Sequence, residues 1–235
     1  MEQGHQLAFV APNPAIKPGE QIRYGLFPQT ADRKLQPIEW RVLQNTGSEL
    51  LLLSEEILEC KRYHGKSAEI SWRDAVDITW RDCDLRQWLN EEFYATAFGL
   101  EERAWIQTTT CTDNGENCPD TEDKVFLLSV TEVKAITAVL GKSWLTTVGT
   151  EYAKLKKPDG CSLYVYDKGE KDNYVLRNGK EKGCSWWWLR TQGNQPSRAH
   201  FIGTGASIRS YANVSLARDG VRPAIRMRIG KEPGE

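Results

Sequence analysis

Apolar and polar positions fall into short runs broken by glycine, proline and asparagine, and the densest set lies between Gly183 and Ile229. Trp186, Trp187 and Trp188 form a compact apolar run that ends at Leu189-Arg190. Turn residues follow at Gly193, Asn194, Pro196 and Ser197. A second run, Ala199 to Ile202, stops at Gly203 and Gly205, and from Val221 to Ile229 apolar and basic residues alternate. Such runs, bounded by turn formers, predict a small antiparallel sheet. Successive strand residues point to opposite faces, so Trp187 is expected to face away from Trp186 and Trp188. An indole on that side needs a second packed layer or a ligand.

Upstream, Gln21–Phe27 alternates as a strand that Pro28 stops. Ile38–Gln44 and Glu49–Ser54 flank Asn45-Thr46-Gly47-Ser48, which predicts a β-hairpin. Its second arm, Leu50–Leu53, is wholly apolar and should be buried on both faces. Ser54 with Glu55 and Glu56 reads as the cap and acidic first turn of a short helix reaching Cys60. Ile70-Ser71-Trp72-Arg73-Asp74 is echoed by Ile78-Thr79-Trp80-Arg81-Asp82, a local duplication. Asp82 or Asp84 is expected to cap a helix running to about Phe98, with Leu85, Trp88, Leu89, Phe93 and Ala97 on its apolar face and Gly99 after its end. Glu101–Gln107 adds a turn, and the polar stretch Thr108–Asp123 reads as a loop. Lys124–Leu128 is expected as a buried strand. A second helix starts at Ser129 or Thr131, buries Val133, Ile136 and Leu140, and ends at Gly141. Ser162–Tyr166 and Asn173–Arg177 are the candidate arms of a further hairpin. Residues 1–19, with Pro12, Pro14 and Pro18, read as an extended arm before a single domain at 20–230.

The chain has 235 residues, enough for one large core without staples. With 31 basic and 32 acidic residues the net charge is −1, so the basic excess of a nucleic-acid binder is missing. Nine tryptophans against two methionines favour a rigid β-rich fold or a stacking surface. The longest apolar run near the start is Leu7–Ala11, and no run approaches the roughly 18 residues of a membrane helix. The expectation is a cytoplasmic chain without membrane insertion, or an extracellular or surface one if a leader precedes Met1. Oligomeric state is left open.

The motifs Ile22-Arg23-Tyr24-Gly25-Leu26-Phe27-Pro28-Gln29, Pro37-Ile38-Glu39-Trp40-Arg41-Val42-Leu43 and Leu51-Leu52-Leu53-Ser54 occur in that order. Leu85-Arg86-Gln87-Trp88-Leu89-Asn90 follows, with Phe93 and Ala97-Phe98. Then come Asp123-Lys124-Val125-Phe126-Leu127-Leu128-Ser129, Trp187-Trp188-Leu189-Arg190 and Gly220-Val221-Arg222-Pro223-Ala224. Together they resemble the bacterial domain family of unknown function DUF6273, over roughly residues 20–229. The echo at Ile70 and the cysteines depart from that pattern. The resemblance implies an α+β, C-type-lectin-like fold related to the formylglycine-generating-enzyme group: two main helices, short mixed strands, long loops, and N- and C-terminal strands in one sheet. It also implies a ligand site on the late strands and loops. Some lectin-like groups are variable proteins of diversity-generating retroelements, and the varied segment here would be Trp188–Ala217.

The candidate binding surface is Trp187, Asn194, Gln195, Ser197, His200, Thr204, Ser207, Arg209, Ser210, Tyr211 and Asn213. These types supply adaptable hydrogen bonds with rigid aromatics, as antibody loops do. They suit a protein or carbohydrate ligand and imply no cofactor. Weak calcium candidates are the oxygen-bearing Asp113, Asn114, Glu116 and Asp120, whose spacing does not fit an EF-hand. Of six cysteines none lies in a C-x-x-C pair; Cys111 with Cys118 and Cys161 with Cys184 are the candidate disulfides. The leading expectation is a non-enzymatic binding module. A formylglycine-generating-type oxidoreductase using Cys184 and a structural accessory domain are the alternatives. Arg222 is expected to pair with a buried carboxylate such as Glu39.

Overall fold

Four consecutive leucines, Leu50–Leu53, are all buried, as a strand covered on both faces requires. They set the middle of one of the two sheets. The computed structural model describes residues 15–65, 78–116 and 118–230, so the first copy of the echo at Ile70 and most of the expected N-terminal arm lie outside the described residues. The fold is α+β, rich in short strands and poor in helix. Its strands are β1 (Gln21–Pro28), β2 (Leu35–Asn45), β3 (Glu49–Ser54), β4 (Glu59–Cys60), β5 (Ile106–Gln107), β6 (Thr109–Cys111), β7 (Thr121–Asp123), β8 (Tyr174–Arg177), β9 (Lys180–Gly183), β10 (Trp187–Gln192), β11 (Arg198–Ile202), β12 (Ile208–Asn213), β13 (Gly220–Val221) and β14 (Ala224–Arg228). Among the described residues they form two five-stranded sheets, β1-β2-β3-β14-β5 and β12-β11-β10-β13-β4, and the hairpins β6-β7 and β8-β9. Pairing is antiparallel except between β10 and β13. The first and last strands do share a sheet, as expected.

The β2–β3 hairpin and its Asn45–Ser48 turn form as the pattern predicts, with Asn45 Oδ1 accepting from Gly47 N at 2.8 Å. Ile38, Trp40 and Val42 alternate inward along β2, and the Trp40 indole N–H donates to Tyr24 O across the sheet at 2.8 Å. Gly25 breaks the β1–β2 register with φ +68, and a Cβ there would lie 2.6 Å from Ala97 O. Only glycine admits both the left-handed backbone and that approach of the helix end.

The first helix is α1 (Asp84–Trp88), which passes through a π turn at Leu89–Phe93 into α2 (Tyr94–Ala97). Leu85, Leu89, Phe93 and Ala97 are spaced strictly by four. On a straight helix that spacing drifts about 40° per step. The π turn absorbs the drift and keeps all four buried, leaving Trp88 half-buried. Its N-cap is Cys83 rather than an aspartate; the sulfur accepts Arg86 N at 3.4 Å, while Asp84 accepts Gly65 N at 2.7 Å. Gly99 follows the helix end as expected, one residue past the C-cap Phe98, but with φ −68 and not a left-handed turn; it also caps α3 (Leu100–Trp105), its N–H donating to the Glu102 carboxylate at 2.7 Å. Helix α4 (Val130–Leu140) has the expected Ser129 cap, reciprocated by Glu132, and ends at Gly141 with φ 74. Among the described residues no helix is long and apolar enough to cross a membrane.

Several expectations are corrected. Residues 55–58 are not helical: Ile57 and Leu58 are both buried, Ile57 bridges Gly149 in parallel, and the chain continues into β4. The Glu55 carboxylate, meant for a helix start, instead takes Arg41 at 2.7 Å and Arg177 at 2.9 Å. Burial opposes its charge, yet the Arg41 hydrogen bond and the charges of Arg222, Arg41 and Arg177 hold its carboxyl below the usual range. Residues 125–128 are buried and meet the sheets at single points, the Phe126–Ala224 bridge and the Arg190 N–H donating to Leu128 O at 3.0 Å. Side chains satisfy that backbone where a ladder was expected: Asn90 Oδ1 accepts Lys124 N at 2.7 Å, and Arg190 Nη1 donates to Leu127 O at 2.7 Å. The loop at 108–123 contains the β6–β7 pair. Tyr174–Arg177 pairs with Lys180–Gly183 around Asn178-Gly179 rather than with 162–166. That earlier segment bonds the 217–218 backbone, Ser162 N donating to Ala217 O at 2.8 Å. Residues 15–19 lie against the sheet, Gly19 N donating to Val42 O at 2.8 Å.

Arg222 does not meet Glu39, which pairs with Arg23 on the surface. Its buried guanidinium donates to Ser54 O at 2.7 Å, Trp144 O at 2.7 Å and Glu55 O at 3.2 Å. Burial pulls it down to about 9 against the opposing pull of the Glu55 charge. Asp219 is fully buried, neither carboxylate oxygen is hydrogen-bonded among the described residues, and burial pushes its carboxyl up to about 8. The folded state therefore holds this proton more tightly than the unfolded chain. The associated stability is intact below the ordinary carboxylate range near pH 4 and is lost as pH rises through about 8. Ionisation costs on the order of 5 kcal/mol over that window. Urea midpoints measured from pH 4 to pH 9 should show Asp219→Asn matching the native protein at the acid end and exceeding it above pH 8. Parallel curves across the range would refute the assignment.

Candidate functional site

The sheet β12-β11-β10-β13-β4 carries an open cavity of about 920 Å³ on the side of β11 and β12, walled opposite by Tyr166 and the turn at Glu170–Asn173. Period-2 geometry puts Ser207, Arg209, Tyr211 and Asn213 on one face, and all four line it with Thr204. The backbone of β12 is fixed by pairing with β11 from Arg198–Asn213 to Ile202–Ile208.

A row of aromatic rings crosses the cavity. Tyr164 stacks on Trp186 with centroids 3.9 Å apart and planes at 14°. Trp186 meets Phe201 at 6.1 Å and Phe201 meets Tyr211 at 5.5 Å, both edge to face. Tyr211 is 55% exposed and Trp186 half-buried, so polarizable ring surface faces the cavity. The Tyr166 hydroxyl, buried in the wall, has no hydrogen-bond partner among the described residues.

Four cations surround these rings: Lys171, Arg198, Arg209 and Arg218. Arg198 donates to Tyr211 O at 2.9 Å, Arg209 donates to Ser207 Oγ at 3.0 Å, and Arg218 lies 5.5 Å from the Tyr164 ring centroid. Among the described residues none of the four is in a salt bridge. Glu170 and Asp172 are the acids of the lining, so cations outnumber acids there.

The other expected binding residues lie elsewhere. Trp187 is fully buried, its indole N–H donating to Leu145 O at 2.9 Å, with Trp144 at 6.5 Å and the Arg222 guanidinium at 5.1 Å. Strand alternation held, but a packed layer, not a ligand, covers that face. Asn194 and Gln195 are exposed at the β10–β11 turn outside the cavity. Ser197 is buried at φ 59 and its carbonyl accepts Val214 N at 2.9 Å. His200 turns to the β10 backbone, Nδ1 donating to Gln192 O at 2.7 Å. Ser210 accepts Asn194 N at 2.9 Å through its carbonyl. Sequence reading missed Trp186, which precedes β10, Arg218, which lines the cavity, and Tyr164, which backs the Trp186 ring; the last two come from segments whose pairing is not local.

The calcium candidates do not converge. Asp113 accepts Thr131 N at 3.0 Å; burial opposes its charge, but hydrogen bonds from Thr131 and Ser129 and the Arg190 charge hold its carboxyl below the usual range. Asn114 is buried between Cys111 O, Pro119 O and Arg190 Nε. Glu116 and Asp120 are exposed. Among the described residues no three His, Cys, Asp or Glu side chains are grouped to hold a metal ion. All six cysteines are free thiols, so neither expected disulfide is formed. Cys184 is buried, and burial pushes its thiol up to about 11, the reverse of what a reactive thiolate needs.

A family model described as Domain of unknown function (DUF6273) matches residues 47–229. No curated protein matches the chain, and no solved structure does.

The two neighbouring indoles should separate in mutagenesis. Trp187→Ala removes a fully buried side chain and its hydrogen bond, and denaturation should register a loss of about 3–5 kcal/mol. Trp186→Ala, at the cavity, should lose less than half of that. Equal losses would mean that Trp186 is core.

Proposed function

The chain belongs to the DUF6273 family, and from that premise we propose that it is a non-enzymatic binding module whose aromatic cleft takes an acidic carbohydrate. The observation that carries this reading is the half-buried Trp186, stacked on Tyr164 and ringed by Arg198, Arg209 and Arg218, which have no carboxylate partner among the described residues. A flat indole accepts the C–H face of a pyranose, and a guanidinium fork matches the two oxygens of a carboxylate or sulfate. The volume, about 920 Å³, suits a few sugar units. The burial of Cys184 removes support from the oxidoreductase alternative.

The finer reading of the fold as C-type-lectin-like belongs with this proposal. It is supported by β1 and β14 sharing one sheet while the late strands carry the cleft. A variable-protein role would place diversity at Ser207, Arg209 and Tyr211, which face the cleft and lie outside the core.

The test is titration of the Trp fluorescence with heparin-derived and uronic-acid oligosaccharides, with neutral oligosaccharides and an acidic peptide alongside. Acidic sugars should bind and lose affinity as salt rises. Trp186→Ala, and Arg209→Gln with Arg218→Gln together, should each weaken binding about tenfold, ~1.4 kcal/mol. Tight binding of the peptide with no response to the sugars would shift the reading to a protein ligand. Binding that ignores both substitutions would remove the cleft from the function.

A further inference from the structure

Away from the cleft, β4 and the segment around residue 161 bring together two cysteines far apart in sequence. Cys60 and Cys161 are both buried. The Ala217 carbonyl marks where they meet: it accepts Ser162 N at 2.8 Å and the Cys60 thiol at 3.7 Å. Arg62 Nη1 donates to Cys161 Sγ at 3.4 Å, and Asp159 Oδ2 lies 3.3 Å from the same sulfur. Arg62 and Asp159 form a salt bridge and line a surface pocket of about 260 Å³, so one ion pair separates Cys161 from that pocket.

The charges around the pair are unequal. Glu59 is held by Lys157 at 2.7 Å and Asp159 by Arg62 at 3.4 Å. Asp219, whose neighbour Gly220 stands opposite Cys60 in the β13–β4 register, has no partner for either oxygen among the described residues. A hydrogen bond from Cys60 holds the Cys161 thiol below its usual range, while the same bond, burial and the nearby carboxylates push Cys60 far up. Elsewhere burial pushes the Cys83 thiol up to about 12. Thiolate character is what governs oxidation.

We propose that Cys60 and Cys161 are a reversible redox dithiol, Cys161 reacting first with a hydroperoxide and Cys60 resolving the product. The Cys161 thiolate attacks one oxygen of R–O–O–H; the S–O bond forms, the O–O bond breaks, and the departing alkoxide takes a proton to leave as ROH. Cys161 is then a sulfenic acid. Cys60 attacks the Cys161 sulfur; the S–S bond forms, the S–O and Cys60 S–H bonds break, and the departing hydroxide takes the Cys60 proton to leave as water. Two thiols and one hydroperoxide become one disulfide, ROH and water, and an external dithiol reverses the change. A buried pair behind one ion pair selects a small oxidant, hydrogen peroxide or a short alkyl hydroperoxide.

The native protein is treated with hydrogen peroxide, quenched with alkylating agent in denaturant, and mapped without reduction. Two of the six thiols should disappear, a peptide linking Cys60 to Cys161 should form, and dithiothreitol should restore both. In Cys60→Ala, dimedone should label Cys161; in Cys161→Ala, it should leave Cys60 unlabelled. A full count of alkylatable thiols after peroxide, or a linked peptide joining other cysteines, overturns the proposal even if the variants fail to fold. Dimedone labelling with the two roles exchanged overturns the order of reaction.

Discussion

The chain changes sheets between β13 and β14, within the few residues from Val221 to Ala224, and Arg222 is the residue at the crossing. Its three hydrogen bonds go to main-chain carbonyls at Ser54, Glu55 and Trp144, and its guanidinium lies against the Trp187 indole. A crossing inside a core leaves carbonyls with neither ladder nor water, and each would carry a desolvation penalty of about 1–3 kcal/mol. One planar cation satisfies three of them and is itself balanced by Glu55, which Arg41 and Arg177 also bind. The end of β3, the segment after α4 and the inner face of β10 are thereby fixed relative to one another. The cleft depends on that geometry because β10 is the neighbour on which β11, and then β12, are hung.

Arg190 repeats the device on the other side of β10. Its Nη1 donates to Leu127 O and the Glu132 carboxylate, and Nη2 to Thr112 O at 2.7 Å. Asn90 meets the other end of the same irregular segment, accepting from Lys124 N and donating to Val125 O at 2.9 Å. Buried coil held by side chains explains how this fold reaches a large core with short strands and few helices. It also explains why Trp-Trp-Leu-Arg and Gly-Val-Arg-Pro-Ala read as motifs: each places one arginine where backbone groups converge.

Much of the fold was legible where spacing and turn chemistry act locally. The β2–β3 hairpin, the Ser129 cap of α4 and the inward set Leu85, Leu89, Phe93 and Ala97 all follow from it. What was not legible needed partners from far along the chain. Residues 124–128 look like a strand because the pattern records burial and not the Asn90 and Arg190 side chains that replace a ladder. Glu55 looks like a helix start because its arginine partners at 41 and 177 are invisible locally. The Asn178-Gly179 turn signal is present in the sequence, but its second arm, Lys180–Gly183, carries no apolar alternation to mark it as a strand. In the cleft, Ser207, Arg209, Tyr211 and Asn213 were legible by alternation, whereas Arg218, and Tyr164 behind the Trp186 ring, arrive through pairing of 162–164 with 217–218. Trp187 was placed on the correct side of its strand; the covering layer from Trp144 and Leu145 was not foreseeable from β10 alone.

β12 is an edge strand with β11 as its neighbour, and its alternate side chains stand over open space rather than core. Its backbone register therefore does not depend on what those side chains are, provided that they tolerate extended geometry. Selection can rewrite Ser207, Arg209 and Tyr211 without repacking the interior, while the ring pair Tyr164–Trp186 stays as a constant anchor. The domain thus separates a packed framework from a replaceable surface, and under the proposed binding role descendants would diverge in what they recognise long before they diverge in how they fold.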